Sequence, residues 1–107
     1  MRNLLACFGC ITLLSVAFPS AAEEHVVAIR TYRFEPSEIR IRVGDTVRWL
    51  NMEKRTTHSV LFGGSPSLES ERLFPGDSWS RRFDSPGTIV YGCGPHPEMS
   101  GTIEVTE

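Results

Sequence analysis

Glu38-Ile39-Arg40-Ile41-Arg42-Val43 alternates charged and apolar residues without a break. Successive side chains of a strand point to opposite faces, so Ile39, Ile41 and Val43 should face a core and the arginines water. On a helix the same apolar residues would be spread around the circumference. Gly44-Asp45 marks a turn, and Thr46 to Asn51 alternates again with Val47 and Trp49 inward. The same reading makes a strand of His25 to Phe34, rich in Val, Ile, Thr, Tyr and Phe and ended by Pro36. Further short strands are expected at Thr57–Leu61, at Ser78–Phe83 with Trp79 and Phe83 on one face, at Thr88–Cys93 and at Thr102–Val105. Residues 62 to 77, broken by glycine and proline, read as a long connection with a short edge strand near Glu69. Seven or so strands at about 8–12-residue spacing imply an all-β sandwich of one domain.

The first residues have a different layout. Met1-Arg2-Asn3 is a positive start, Leu4 to Phe18 is uncharged and apolar, and Pro19-Ser20-Ala21-Ala22 supplies small residues. This is the pattern of a secretory signal peptide spanning residues 1–22, cleaved after Ala22, with the folded domain at 23–107. The apolar run is short against the roughly 20 residues of a membrane span. Cys7 and Cys10 lie inside it and leave with it, so the mature chain keeps one cysteine, Cys93. In an oxidising compartment a lone thiol is a liability unless it is buried or ligated. Without Arg2 the mature chain carries thirteen Asp and Glu against ten Lys and Arg, with the signs interspersed. No basic stripe suggests nucleic acid, and nothing after residue 22 is long and apolar enough to enter a membrane.

The chemistry concentrates in Tyr91-Gly92-Cys93-Gly94-Pro95-His96-Pro97-Glu98-Met99-Ser100-Gly101. Cys93, His96 and Met99 place a thiol, an imidazole and a thioether three positions apart. Gly94, Pro95 and Pro97 suit the tight turn needed for the three to converge. Soft sulfur beside imidazole selects copper over magnesium, calcium or manganese. One more histidine would complete a His2Cys set with a weak axial methionine, and His58 is the candidate. His25 has no partner pattern and reads as solvated. Trp49 and Trp79 read as core, Met52 as a surface residue, and Lys54-Arg55 as a solvated turn. A copper-delivery protein remains an alternative, although the chain lacks the His-rich or Met-rich clusters such proteins use. A thiol enzyme built on Cys93 would need a base and an orienting group, and would leave Met99 without a role.

With these residues in hand, the chain resembles the small type 1 (blue) copper proteins of the cupredoxin family, the plastocyanin, pseudoazurin and amicyanin group. The resemblance spans the mature chain. It is carried by Phe34-x-Pro36-x-x-Ile39-x-Ile41-x-Val43-Gly44-Asp45-x-Val47-x-Trp49-x-Asn51, by His58-Ser59-Val60, by Pro86-Gly87, and by Tyr91-x-Cys93-x-x-His96-x-x-Met99-x-Gly101-x-Ile103-x-Val105. The short C-x-x-H-x-x-M loop is most similar to that of amicyanin. The resemblance implies a cupredoxin-like Greek-key β-sandwich of two sheets and about seven to eight strands. It implies one copper ion, cycling between Cu(I) and Cu(II), with His58, Cys93 and His96 as equatorial ligands and Met99 as the axial one. It also implies a monomeric periplasmic electron carrier, not an enzyme, that exchanges single electrons with redox proteins such as a c-type cytochrome or a periplasmic dehydrogenase docking near His96. Two positions depart from the family pattern. Ser59 stands where Asn often links the ligand loops, and Gly92 stands where plastocyanin and amicyanin have Tyr.

Overall fold

The computed structural model describes residues 21–63 and 67–107. Residues 1–20, which hold most of the expected signal peptide, lie outside the described residues. Nine strands are present among the described residues: β1 (Glu24–Arg30), β2 (Arg33–Glu35), β3 (Glu38–Arg42), β4 (Thr46–Asn51), β5 (Leu61–Phe62), β6 (Leu68–Glu69), β7 (Ser78–Arg82), β8 (Gly87–Gly92) and β9 (Ser100–Thr106). They form one sheet in the order β2-β1-β4-β7 and a second in the order β3-β9-β8-β5-β6. The expected two-sheet sandwich is the observed fold.

Alternation carries through the central strands. In β4 Val47, Trp49 and Asn51 are buried, and in β9 Gly101, Ile103 and Val105 are. Trp49 is fully buried at the middle of the core. Its ring meets Tyr91 at 5.3 Å, Trp79 at 5.6 Å, Phe62 at 5.9 Å and Phe83 at 6.5 Å between centroids. Three of these four contacts are edge-on, the arrangement the ring quadrupole favours. Gly101 lets Tyr91 lie flush on the opposing strand, because a Cβ at that position would overlap the phenol. Burial pushes the Tyr91 hydroxyl up to about 12, against a smaller opposing pull from Trp49. The Trp49 indole N–H is buried and makes no hydrogen bond among the described residues.

Three expectations are corrected. The run from His25 to Phe34 is not one strand but a hairpin, broken at Thr31 and Tyr32, whose φ values are 50° and 56°. That break adds a strand to the expected count. Val43 does not share the buried face of Ile39 and Ile41; it is 39% exposed. The last rung of β3 on β9 pairs Arg42 with Thr106, so Val43 lies just past the end of the strand, at the turn into Gly44. The stretch Thr57–Leu61 is not a continuous strand either. His58 makes an isolated bridge to Leu73, and pairing resumes only in β5. His58, Ser59 and Val60 are all fully buried, which no alternating strand allows.

Parallel pairing of β1 with β4 runs from Glu24 opposite Thr46 to Ile29 opposite Asn51. At about 3.3 Å per residue the two ends of this pair lie roughly 17 Å apart. The far end leads β1 into Tyr32 and β4 into the segment carrying Glu53 and His58. The near end holds Glu23, His25 and Asp45.

Candidate metal centre

His58 is held by its backbone. Its N–H donates to Leu73 O at 3.1 Å, and Leu73 N–H returns a bond to His58 O at 2.8 Å. The segment before it is pinned by buried Asn51, whose Nδ2 donates to Thr56 O and to Leu73 O, both at 2.9 Å. Asn51 Oδ1 accepts from Glu53 N–H at 2.9 Å. A single amide thus closes the turn and fastens it to Leu73, the residue that bridges His58. Cys93 follows directly on β8, and the Met99 N–H to His96 O bond of 3.0 Å closes the turn from there to β9.

These local structures bring three donors together. Cys93 Sγ is 3.6 Å from His58 Nδ1 and 3.6 Å from His96 Nδ1, and all three donor atoms lie within 4.8 Å of one another. A metal bonded at about 2.0 Å to nitrogen and 2.3 Å to sulfur, with near-trigonal angles, would set such atoms about 3.6 Å apart. Cys93 is 2% exposed, Met99 3% and His58 0%, while His96 is half-buried. The cluster is closed to solvent on every side except that of His96.

Hydrogen bonds fix the His58 tautomer. Nε2 lies 3.0 Å from Glu53 Oε2, and a carboxylate can only accept, so Nε2 carries the proton and Nδ1 presents its lone pair to the cluster. Burial pushes the His58 imidazole down, outweighing the opposite pull of Glu53, which keeps the ring neutral and able to ligate. Burial pushes the Glu53 carboxyl up, but the Tyr32 amide and the His58 ring outweigh it and hold the group below the usual carboxylate range. Tyr32 N–H reaches the same Glu53 oxygen at 2.9 Å. The Tyr32 ring stands edge-on to His96 at 4.8 Å and to His58 at 5.5 Å, and is 46% exposed.

The sulfur has its own donor. Ser59 N–H points at Cys93 Sγ at 3.4 Å. The Ser59 hydroxyl accepts from Gly94 N–H at 2.9 Å and donates to Glu69 Oε2 at 2.7 Å. The cross-link between the two ligand loops therefore survives the departure from Asn, made by a hydroxyl together with Glu69. Gly94 is required for it, since a Cβ there would collide with the Glu69 carboxylate and the Ser59 hydroxyl. Gly92 is less crowded, since a Cβ there would lie 3.2 Å from Met99 O and need only a small shift.

All four residues singled out in the sequence are brought to one end of the sandwich. Glu53, Glu69, Tyr32 and Asn51 were given no role there. Glu53, five residues before His58 in the same loop, is the one whose position hinted at a partnership.

A two-sheet all-β sandwich with a buried thiol between two imidazole nitrogens, and a methionine closing the same loop, defines the small type 1 copper proteins. The chain matches the family described as copper-binding proteins, plastocyanin/azurin family, over residues 21–106. It is 33% identical over 110 residues to amicyanin-alpha of Methylorubrum extorquens, covering 94% of this chain and 92% of that protein. It is 36% identical over 84 residues to amicyanin of Paracoccus denitrificans, covering 75% and 63%. A solved Cu(I) structure of an amicyanin variant superposes with a TM-score of 0.73 at 35% identity, over 79% of this chain and 84% of that one. The chain therefore belongs to the plastocyanin/azurin family of copper-binding proteins, and among these it is similar to amicyanin. Its cofactor is a single type 1 copper ion, which the donor set found here fits.

Proposed function

We propose that the protein is a periplasmic one-electron carrier, secreted by a signal peptide cleaved after Ala22. In this reading His58 Nδ1, Cys93 Sγ and His96 Nδ1 hold the copper equatorially and Met99 is the axial ligand. The observation that carries it is the equal 3.6 Å spacing of the two imidazole nitrogens from one buried sulfur. Bound copper supplies a centre that gains and loses one electron. Residues His58, Cys93, His96 and Met99, held by the sandwich, would keep the donor positions nearly fixed when an electron is gained or lost. Glu53 orients His58, and the Ser59 amide tempers the charge on the sulfur.

Electrons enter and leave at His96, the only ligand of the set that is not fully enclosed. Tyr32 at 46% exposed, on the β1–β2 turn, and Met52 at 49%, at the end of β4, give that end of the sandwich an apolar surface for a redox protein to dock on. In plastocyanin, which the chain resembles, a tyrosine next to the cysteine forms a second, remote electron-entry surface, and Gly92 stands at that position here.

Adding Cu(II) to the purified mature protein should give an intense thiolate-to-copper absorption band and a narrow copper hyperfine splitting. Cys93→Ser should abolish the band. A band that survives that substitution would remove Cys93 from the site, and a centre that cannot be reversibly reduced would remove the carrier function.

A further inference from the structure

The other end of the sandwich holds a cluster that the copper centre does not use. Asp45 is enclosed by its partners: Oδ1 accepts from Glu23 N–H at 2.9 Å, while Oδ2 accepts from Arg42 N–H at 3.0 Å and lies 3.0 Å from His25 Nε2. One carboxylate therefore gathers the main-chain nitrogen of residue 23 and the ring of residue 25. The Glu23 carboxylate lies 4.0 Å from His25 Nε2. The cluster opens into a pocket of about 470 Å³, lined among others by Arg40 and Thr106.

Cleavage after Ala22 converts Glu23 N from an amide into a free α-amine and makes His25 the third residue of the mature chain. An amino-terminal Xaa-Xaa-His sequence offers four nitrogens in order: the α-amine, the second and third amides, and the histidine Nδ1. Their chelate rings close in one plane. A planar all-nitrogen set selects Cu(II) or Ni(II) over zinc, calcium or magnesium. We propose that Glu23, Glu24 and His25 of the mature chain form a second, square-planar site for Cu(II), separate from the type 1 centre. The proposal rests on the processing position given above but not on the ligands of the redox copper.

The geometry around His25 suits this role. Bonding of Nε2 to Asp45 leaves Nδ1, the nitrogen nearer the main chain, for the metal, with Asp45 as the partner behind the ligand. Binding releases three protons, one from the α-ammonium and one from each of the Glu24 and His25 amides. It opens the Thr46 N–H to Glu23 O bond of 3.0 Å and the first rungs of β1, where Glu24 lies opposite Thr46 and His25 opposite Val47. These rungs are at a strand end, where local opening requires the least free energy. At roughly 17 Å from the copper end, by the rise of β1 and β4, the site neither shares ligands with the type 1 centre nor disturbs it.

The test uses the secreted protein, its intact mass first confirming Glu23 as the amino terminus. Cu(II) is added beyond the equivalent that fills the type 1 centre, with Ni(II) as a parallel probe. A second copper signal with wide hyperfine splitting, a weak visible band without thiolate character, and proton release is expected. Ni(II) should give a diamagnetic complex. His25→Gln should lose these signals while the type 1 band stays. Inserting one alanine between Glu23 and Glu24 should also lose them, because it leaves the residues before the cleavage point intact and moves the histidine to fourth place. A mature chain beginning elsewhere, no second signal on a chain that begins at Glu23, or a signal that survives the insertion would each overturn the proposal. Loss of the type 1 band alone would count against the redox centre only.

Discussion

Gly94 N–H donates to Ser59 Oγ at 2.9 Å, and this bond ties together the two loops that deliver His58 and Cys93. The same hydroxyl donates to Glu69, so one serine uses its donor and accepts one bond in a fully buried position. Ser59→Ala should therefore lower apo-protein stability by about 1–2 kcal/mol, chiefly through the unpaired Gly94 amide. Urea unfolding of the metal-free protein measures it. Unchanged stability would show that the loops are held by other contacts.

Glu69 brings a carboxylate to within one hydroxyl of the Cys93 loop. A negative charge near the centre favours the more positive oxidation state, so Glu69→Gln, which keeps the shape and removes the charge, should raise the reduction potential. Voltammetry of the two proteins at one ionic strength decides the point, and a lowered potential would contradict it.

The Glu53–His58 bond at 3.0 Å sets which imidazole nitrogen faces the cluster. Glu53→Gln keeps a bonding partner but removes the carboxylate, and should weaken copper binding by roughly 10–100-fold. Glu53→Ala should do more, since it also strands the Tyr32 amide. Competition titrations with a copper chelator give both numbers.

Asp45 should make stability depend on acid. In the unprocessed chain the Glu23 amide, then the Arg42 amide and His25, hold its carboxyl at about 2 against an ordinary 3.8, and in the processed chain the Glu23 nitrogen, as an α-ammonium, pulls the same way. A depressed folded value means the contribution is complete above about 3.8 and disappears as the pH falls toward 2. Stability of the wild-type protein should drop across that window, and Asp45→Asn should flatten the drop. Parallel slopes in the two proteins would assign the loss to other carboxylates.

Gly101 faces the Tyr91 ring so closely that any side chain must displace it. Gly101→Ala should lower stability by about 1–3 kcal/mol through overpacking at the centre of the second sheet. Thermal unfolding of the apo form would register the change.

Local features were legible in the sequence. Strict alternation located β3 and β4, and the turn residues around His96 announced a loop tight enough to gather Cys93, His96 and Met99, because their spacing lies within a few residues. His58 was a candidate only because the Cys93, His96 and Met99 set lacks a second histidine, and the resemblance supplied its role, since nothing near it in sequence marks it as a ligand. Where a strand stops, pattern misled: Val43 continues the alternation of Ile39 and Ile41 but lies past the end of β3 and is exposed. Thr31 and Tyr32 are residues that favour strands, yet their left-handed backbone turns β1 into β2 and places the Tyr32 ring over both histidines.

The sequence by itself determined the all-β class, the donor set and its preference for copper, because these depend on residue identity, periodicity and short spacing. Only the tertiary structure decided which groups tune that set. Glu53 and Tyr32 meet across 21 residues and Ser59 and Gly94 across 35, through strand pairings whose register no local pattern encodes.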